Sequence, residues 1–211
     1  MNYALDALWW KLTAPSVRDL ASLLTAPPLW QSGCELSVRE LLGEQGFRYL
    51  LALDADPAPL TEHLTQRAPF RHRLGIYAEE LLAFWFTRAP HAKLHARNLP
   101  VFSDGQILGA ADFVVSLNRQ VYHIELACKY YGGSQVQNLR GLNPKDTLAG
   151  KAVKLVQQLN LLHTPQGRET LTTQALPDSP VSVSVVRGIG FFPHGFDAFE
   201  PPLNPCGWRG I

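Results

Sequence analysis

The sequence predicts an α/β chain of the α+β-like kind: a helical N-terminal lobe over residues 1–65, then a core over 66–211 running helix, two or three strands, helix, strand. Three observations carry this. Leu74–Arg88 (LGIYAEELLAFWFTR) sets Tyr77, Leu81, Phe84 and Trp85 at the three-and-four spacing of a buried helical stripe. Ile107–Leu117 and Gln120–Tyr131 read as strands separated only by Asn118-Arg119, a connection short enough for a hairpin. A helical pattern over Thr147–Leu162 then gives way to the β-branched, alternating run Val181–Val186.

In chain order, Ser16 is expected to cap a helix through Val17, Leu20, Leu23 and Leu24 that stops at Pro27-Pro28. Ser37 is placed to cap a second helix through Val38, Leu41 and Leu42, with Gly43 near its end. Residues 54–59 read as a turn-rich link, 94–101 as a mixed stretch, and Ser103-Asp104-Gly105 as a turn. Residues 132–144 form a polar, Gly-rich loop, and Asp146 is expected to cap the helix that follows. Trp9, Trp10, Trp30 and Trp85 are assigned to packing, as large aromatic side chains usually are.

Composition excludes several classes. With 46% hydrophobic and 18% charged residues, the 211-residue chain is neither disordered nor fibrous. Its formal charge of +1 leaves no bulk polycation, so a nucleic-acid site has to be a local patch. Cys34, Cys128 and Cys206 are odd in number and far apart, with no CxxC or His/Cys cluster, which argues against a disulfide framework or a zinc site. The N-terminus lacks the pattern of a signal peptide and no long apolar run spans a membrane, so the expectation is a cytoplasmic protein without a membrane partner.

The chemistry gathers on the hairpin. A period of two puts His123, Glu125 and Lys129 on one face of the second strand and Tyr122, Ile124, Leu126 and Cys128 on the other. Asp112 sits in an otherwise apolar strand, where a carboxylate is costly unless exposed, paired or coordinating a cation. Asp112 and Glu125 on neighbouring strands, with a lysine, suit a hard cation such as Mg²⁺ or Mn²⁺. The plainer alternative is a solvated strand edge. His123 would share the Glu125 face, or be a partly buried strand histidine; Gln157 and Gln158 follow Lys154 by one helical turn and either line the site or face solvent. Tyr130, Tyr131, Arg140, Lys145 and Lys151 form either a stacking and phosphate strip or an ordinary loop surface. No GxSxG or Cys–His pattern supports covalent hydrolase chemistry.

The stretches PSVRDLASLL, RLGIYAEELLAFWF, GAADFVV, HIELACKYY and LNPCGW resemble the bacterial domain-of-unknown-function family eighteen fifty-three, a proposed distant branch of the PD-(D/E)XK nuclease superfamily. The resemblance implies a restriction-endonuclease-like αβββαβ core and Mg²⁺-dependent (or Mn²⁺-dependent) hydrolysis of nucleic-acid phosphodiesters, with DNA as the partner. It implies that Asp112 and Glu125 bind the metal, that Glu79 orients a water or completes the metal shell, and that Lys129 stabilises the transition state. Glu80 competes with Glu79, about 100° away around the helix. The departure is the lysine: Ala127 stands where an acidic-x-Lys pattern has it, and Lys129 lies four residues from Glu125, about 13 Å along an extended strand. Either the strand bends, or Lys151 or Lys154 of the following helix takes the role. A catalytically degenerate fold acting as a nucleic-acid or protein binding module is the alternative.

Overall fold

The computed structural model describes residues 10–70, 73–196 and 201–210. The chain opens with four short helices, α1 (Pro15–Thr25), α2 (Val38–Leu42), α3 (Gly46–Ala55) and α4 (Ala58–Thr65). Helix α1 starts two residues earlier than its sequence suggests. Pro15 occupies the first turn, where its missing N–H costs nothing, and Ala14 rather than Ser16 is the N-cap. The incoming chain is held instead by Asp54, whose carboxylate accepts the N–H groups of Thr13 (3.0 Å) and Ala14 (2.8 Å). The expected link at residues 54–59 is therefore mostly helix, with only Asp56 and Pro57 between α3 and α4. Ser37 does cap α2, accepting the Glu40 N–H at 3.2 Å, and Gly43 ends it at φ 71°.

Helix α5 (Leu74–Arg88) leads into β1 (Ala92–Ser103), β2 (Gln106–Leu117) and β3 (Gln120–Gly132), then α6 (Leu148–Asn160), a 3-10 turn Leu161–His163, α7 (Pro165–Thr173), β4 (Val181–Phe191) and β5 (Trp208–Gly210). The sheet order is β1-β2-β3-β4-β5. Strands β1, β2 and β3 form an antiparallel meander, while β4 returns parallel to β3 across the α6–α7 connection and β5 adds three parallel residues to β4. Asn118 and Arg119 both take positive φ (47° and 75°), the backbone a two-residue hairpin turn demands.

Several elements differ from expectation for local reasons. The mixed stretch 94–101 is part of β1, whose register shifts at Leu94/Ala96 and Val101/Phe102 break the period of two. Strand β4 continues five residues past Val186, because Arg187–Phe191 pair with Cys128–Gly132 despite two glycines. Helix α7 buries only Gly167 and Leu171, too thin a stripe to read from sequence. Thr147, not Asp146, caps α6 by accepting the Gly150 N–H (3.1 Å). Trp30 and Trp85 are fully buried, but Trp10 is 86% exposed, and Trp9 lies outside the described residues.

The largest correction concerns β3. The expected polar face is not solvated: His123 and Glu125 are both 0% exposed. β3 is central and covered on both sides, as a strand with a parallel crossover neighbour tends to be. On one face Ile124 and Leu126 pack with Phe113, Val183 and the helices α1–α5 in one continuous core. On the other, Ala127 and Val186 pack with Leu148, Leu155 and Leu159 of α6. The N-terminal helices are fastened to the sheet by Arg187, which is 5% exposed. Its Nε donates to the Leu23 carbonyl (2.6 Å) and Nη2 to that of Leu24 (3.4 Å), so a cation meets the negative end of α1. Burial holds its pKa down, at about 10.

Candidate functional site

The site is built where β2 and β3 part. Their ladder runs from Leu117↔Gln120 to Phe113↔Ile124 and goes no further. Beyond that pair the side chains take over the hydrogen bonding. The Leu126 N–H donates to Asp112 Oδ2 (2.8 Å), and the Asp112 N–H reaches Glu125 Oε1 (3.3 Å). Each carboxylate thus satisfies a backbone group the splayed strands leave open, and the two acids are held side by side.

Glu125 is braced from two directions. Gln158 of α6 donates through Nε2 to Oε2 (2.7 Å), and His123 Nε2 lies 2.8 Å from Oε1. Gln158 in turn accepts from Lys151 Nζ at 3.4 Å, which leaves its amide nitrogen for Glu125. Helix α6 therefore sends Gln158 into the site while Gln157, one position away, stays exposed.

Charge coupling ties the group together. Burial, reinforced by the negative charge of Glu125, pushes the Asp112 carboxyl up to about 7. Glu79 is also raised, chiefly by burial, with Arg97 opposing and Glu80 and Glu125 adding to the rise. The Lys151 ammonium is lowered by burial while Asp112 and Glu125 pull it back up. Glu79, Asp112, Glu125 and Lys151 thus sense one another across one site.

The competing helix acid is committed elsewhere. Glu80 is gripped by both Arg97 nitrogens (2.8 and 3.0 Å) and by Arg67 Nε (2.8 Å), with His63 Nε2 at 3.3 Å, in an ion-pair knot joining α4, α5 and β1. Although burial opposes it, Arg97 and Arg67 hold the Glu80 carboxyl below its usual range. Lys129 is not folded back onto Glu125. It pairs with Asp146, the residue sequence reasoning had placed as a helix cap. Lys151, the alternative lysine, is hydrogen-bonded to Gln158, the side chain that in turn holds Glu125.

A cleft of about 600 Å³ opens on the Glu79 and Lys151 side of this arrangement, lined also by Leu126, Lys129, Arg73 and Asn143 among others. Beside it lies a hollow of about 500 Å³ lined by Lys129, Lys145, Lys151 and Lys154, with Asp146 the acid among its lining residues. On a chain of formal charge +1 that is a concentrated basic patch. Tyr131 belongs to the core, 1% exposed with its hydroxyl toward Asp146 (3.3 Å), whereas Tyr130 remains 39% exposed. Cys128 also borders the cleft, but burial pushes its thiol up to about 11, so it is no thiolate nucleophile.

Among the described residues no group of three or more His, Cys, Asp and Glu side chains converges as a metal cage, which leaves the Asp112–Glu125 pair as the candidate oxygen donors. Sequence reasoning named Glu79, Asp112 and Glu125, and carried Lys151 and Gln158 as options. It did not find the partners on the far side of His123. Ser182 and His163 reach it only through the parallel β3–β4 register and the turn after α6, which no local spacing encodes.

Among the described residues no helix is long and apolar enough to cross a membrane. No curated protein and no solved structure matches the chain. Residues 18–211, from within α1 through the acidic site to the final strand, match the family model described as Domain of unknown function (DUF1853), and the chain belongs to that family.

Proposed function

We propose that this protein is a Mg²⁺- or Mn²⁺-dependent nuclease acting on nucleic-acid phosphodiesters, with DNA the first candidate, and that its core is a restriction-endonuclease-like αβββαβ unit. The observation that carries the reading is the juxtaposition of Asp112 and Glu125 with Lys151 beside a hollow lined by four lysines. The order α5-β1-β2-β3-α6-α7-β4, with one additional helix before the last of these strands, supports the fold assignment.

The donor set fits a hard divalent cation. Two carboxylates are held together although burial, and after it the charge of Glu125, raises Asp112; a bound cation would offset both. Mg²⁺ accepts one or two carboxylates and leaves the rest of its shell to water and phosphate. When bound, such a cation polarises a phosphate and makes a coordinated water more acidic. The chain's own residues do the rest. Asp112 and Glu125 supply oxygens, and Gln158 keeps Glu125 from turning. Glu79, its carboxyl raised by burial and so made the stronger base, orients water at the cleft wall and accepts its proton. Lys151 donates to the developing negative charge. Lys145 and Lys154 offer contacts to flanking phosphates.

A second reading has its own observation. Both Glu125 oxygens already accept protein donors and Lys129 is spent on Asp146, as expected of a nuclease-like fold retained for binding alone. Calorimetric titration of Mn²⁺ into the wild type and Asp112→Ala, followed by incubation with labelled duplex DNA, single-stranded DNA and RNA, separates the two. Saturable binding lost in the variant, with metal-dependent cleavage, supports the nuclease. Nucleic-acid binding without metal uptake or cleavage supports the degenerate module.

A further inference from the structure

We infer that Ser182 and His163 are positioning residues for Glu125, acting through His123 as a hydrogen-bonded prop that runs from the acidic site to the protein surface; the link to metal rests on the function proposed above.

The chain of contacts is continuous. His123 Nε2 lies 2.8 Å from Glu125 Oε1, His123 Nδ1 lies 3.0 Å from Ser182 Oγ, and Ser182 Oγ lies 2.9 Å from His163 Nε2. Three separate elements contribute. β3 supplies Glu125 and His123 on one face, two residues apart, and β4 supplies Ser182 in direct register with His123. The 3-10 turn after α6 supplies His163, which is exposed. The inner members have no access to water: His123 and Glu125 are both 0% exposed.

Donor logic gives the prop a direction. Glu125 Oε1 accepts from the Asp112 N–H, which can only donate, and Oε2 accepts from Gln158, whose own oxygen faces the Lys151 ammonium. With Glu125 an acceptor on both oxygens, His123 donates through Nε2–H. The tautomer with its hydrogen on Nε2 has a bare Nδ1, which accepts the Ser182 hydroxyl hydrogen. Having given its hydrogen inward, Ser182 Oγ accepts the Nε2–H of His163. Every donor thus points toward the carboxylate, and a reversed Ser182 would leave His123 Nδ1 facing a lone pair in a dry interior. The arrangement pins one tautomer of His123, and that tautomer pins the rotation of Glu125.

Ligating carboxylates lose about 10–100-fold in metal affinity when such supporting partners are removed. The test uses the full chain with Ser182→Ala, Ser182→Thr and His163→Ala. Two quantities are read: Mn²⁺ affinity by calorimetry, and the His123 tautomer from ¹⁵N side-chain shifts in metal-free protein. Thr suits a strand and keeps the hydroxyl, so it controls for misfolding. Wild type and Ser182→Thr are expected to show the Nε2–H tautomer. Ser182→Ala is expected to populate both tautomers and to bind Mn²⁺ about 10-fold more weakly, and His163→Ala to fall between. A wild-type His123 protonated on Nδ1, or a Ser182→Ala protein matching wild type in tautomer, overturns the inference. If wild type takes up no Mn²⁺, the metal reading fails alone, because the tautomer measurement still decides for or against the prop.

Discussion

Asp112→Asn removes a charge that the fold holds in an unfavourable place while keeping the shape that braces the strands. The amide oxygen can still accept the Leu126 N–H, and the new Nδ2 can donate toward Glu125. The carboxyl is displaced from 3.8 to about 7 by burial and by Glu125. Each pKa unit corresponds to ~1.4 kcal/mol, so ionising Asp112 in the folded protein costs up to about 4 kcal/mol. Between those two pH values the folded state retains a proton that the unfolded chain releases. Wild-type stability therefore falls as pH rises through this window and levels off above it. Urea unfolding followed by tryptophan fluorescence, in chelator at pH 4, 6 and 8, reads this directly. The variant and wild type are expected to match at pH 4, with the variant more stable by about 2–4 kcal/mol at pH 8. At a typical urea dependence that shifts the midpoint by roughly 1 M. Millimolar Mn²⁺ should restore the wild type and leave the variant unmoved. Curves for the two proteins that run parallel from pH 4 to pH 8 would refute the claim that burial and Glu125 hold the Asp112 carboxyl above its usual range.

The two adjacent glutamates of α5 are expected to behave oppositely. Glu80→Ala leaves Arg97 and Arg67 facing a void and lowers stability by about 3 kcal/mol, whereas Glu79→Gln leaves the urea midpoint level or raised and reduces cleavage; equal destabilisation would contradict the division of roles. Arg187→Met strips the donors from the Leu23 and Leu24 carbonyls and is expected to cost about 2–4 kcal/mol in chemical denaturation; a wild-type midpoint would show that the bonds do not fasten α1 to the sheet. Lys145→Ala and Lys154→Ala should each reduce the slope of log affinity against log salt by about 1 in anisotropy measurements with duplex DNA, and an unchanged slope would place the backbone path elsewhere.

What could be read without coordinates was what local pattern encodes. Helix α5 showed itself through its apolar stripe, the β2–β3 hairpin through two alternating runs and a two-residue gap, and α2 through Ser37 and Gly43. Strand β1 and helix α7 were less legible because bulges break the first pattern and the second buries almost nothing. Asp112 stood out because a carboxylate is anomalous in an otherwise apolar strand, and Glu125 because the period of two sets it with His123 and Lys129 on one face.

The remainder depended on elements distant in sequence. That β3 is buried on both faces follows from α6 crossing over one side and α1–α5 covering the other. Which lysine serves the site was decided by the loop after β3: it brings Asp146 to Lys129 and so occupies one ammonium, while α6 carries Lys151 to the acids. Which of two neighbouring glutamates is free was decided by Arg67, in the turn after α4, and Arg97, on β1. The sequence by itself determined the acids and the periodic elements, since both are properties of short segments. Only the tertiary structure determined the partners, since a hydrogen bond or ion pair depends on distance in space, and the residues between Glu125 and Gln158 leave that distance open until the chain is folded.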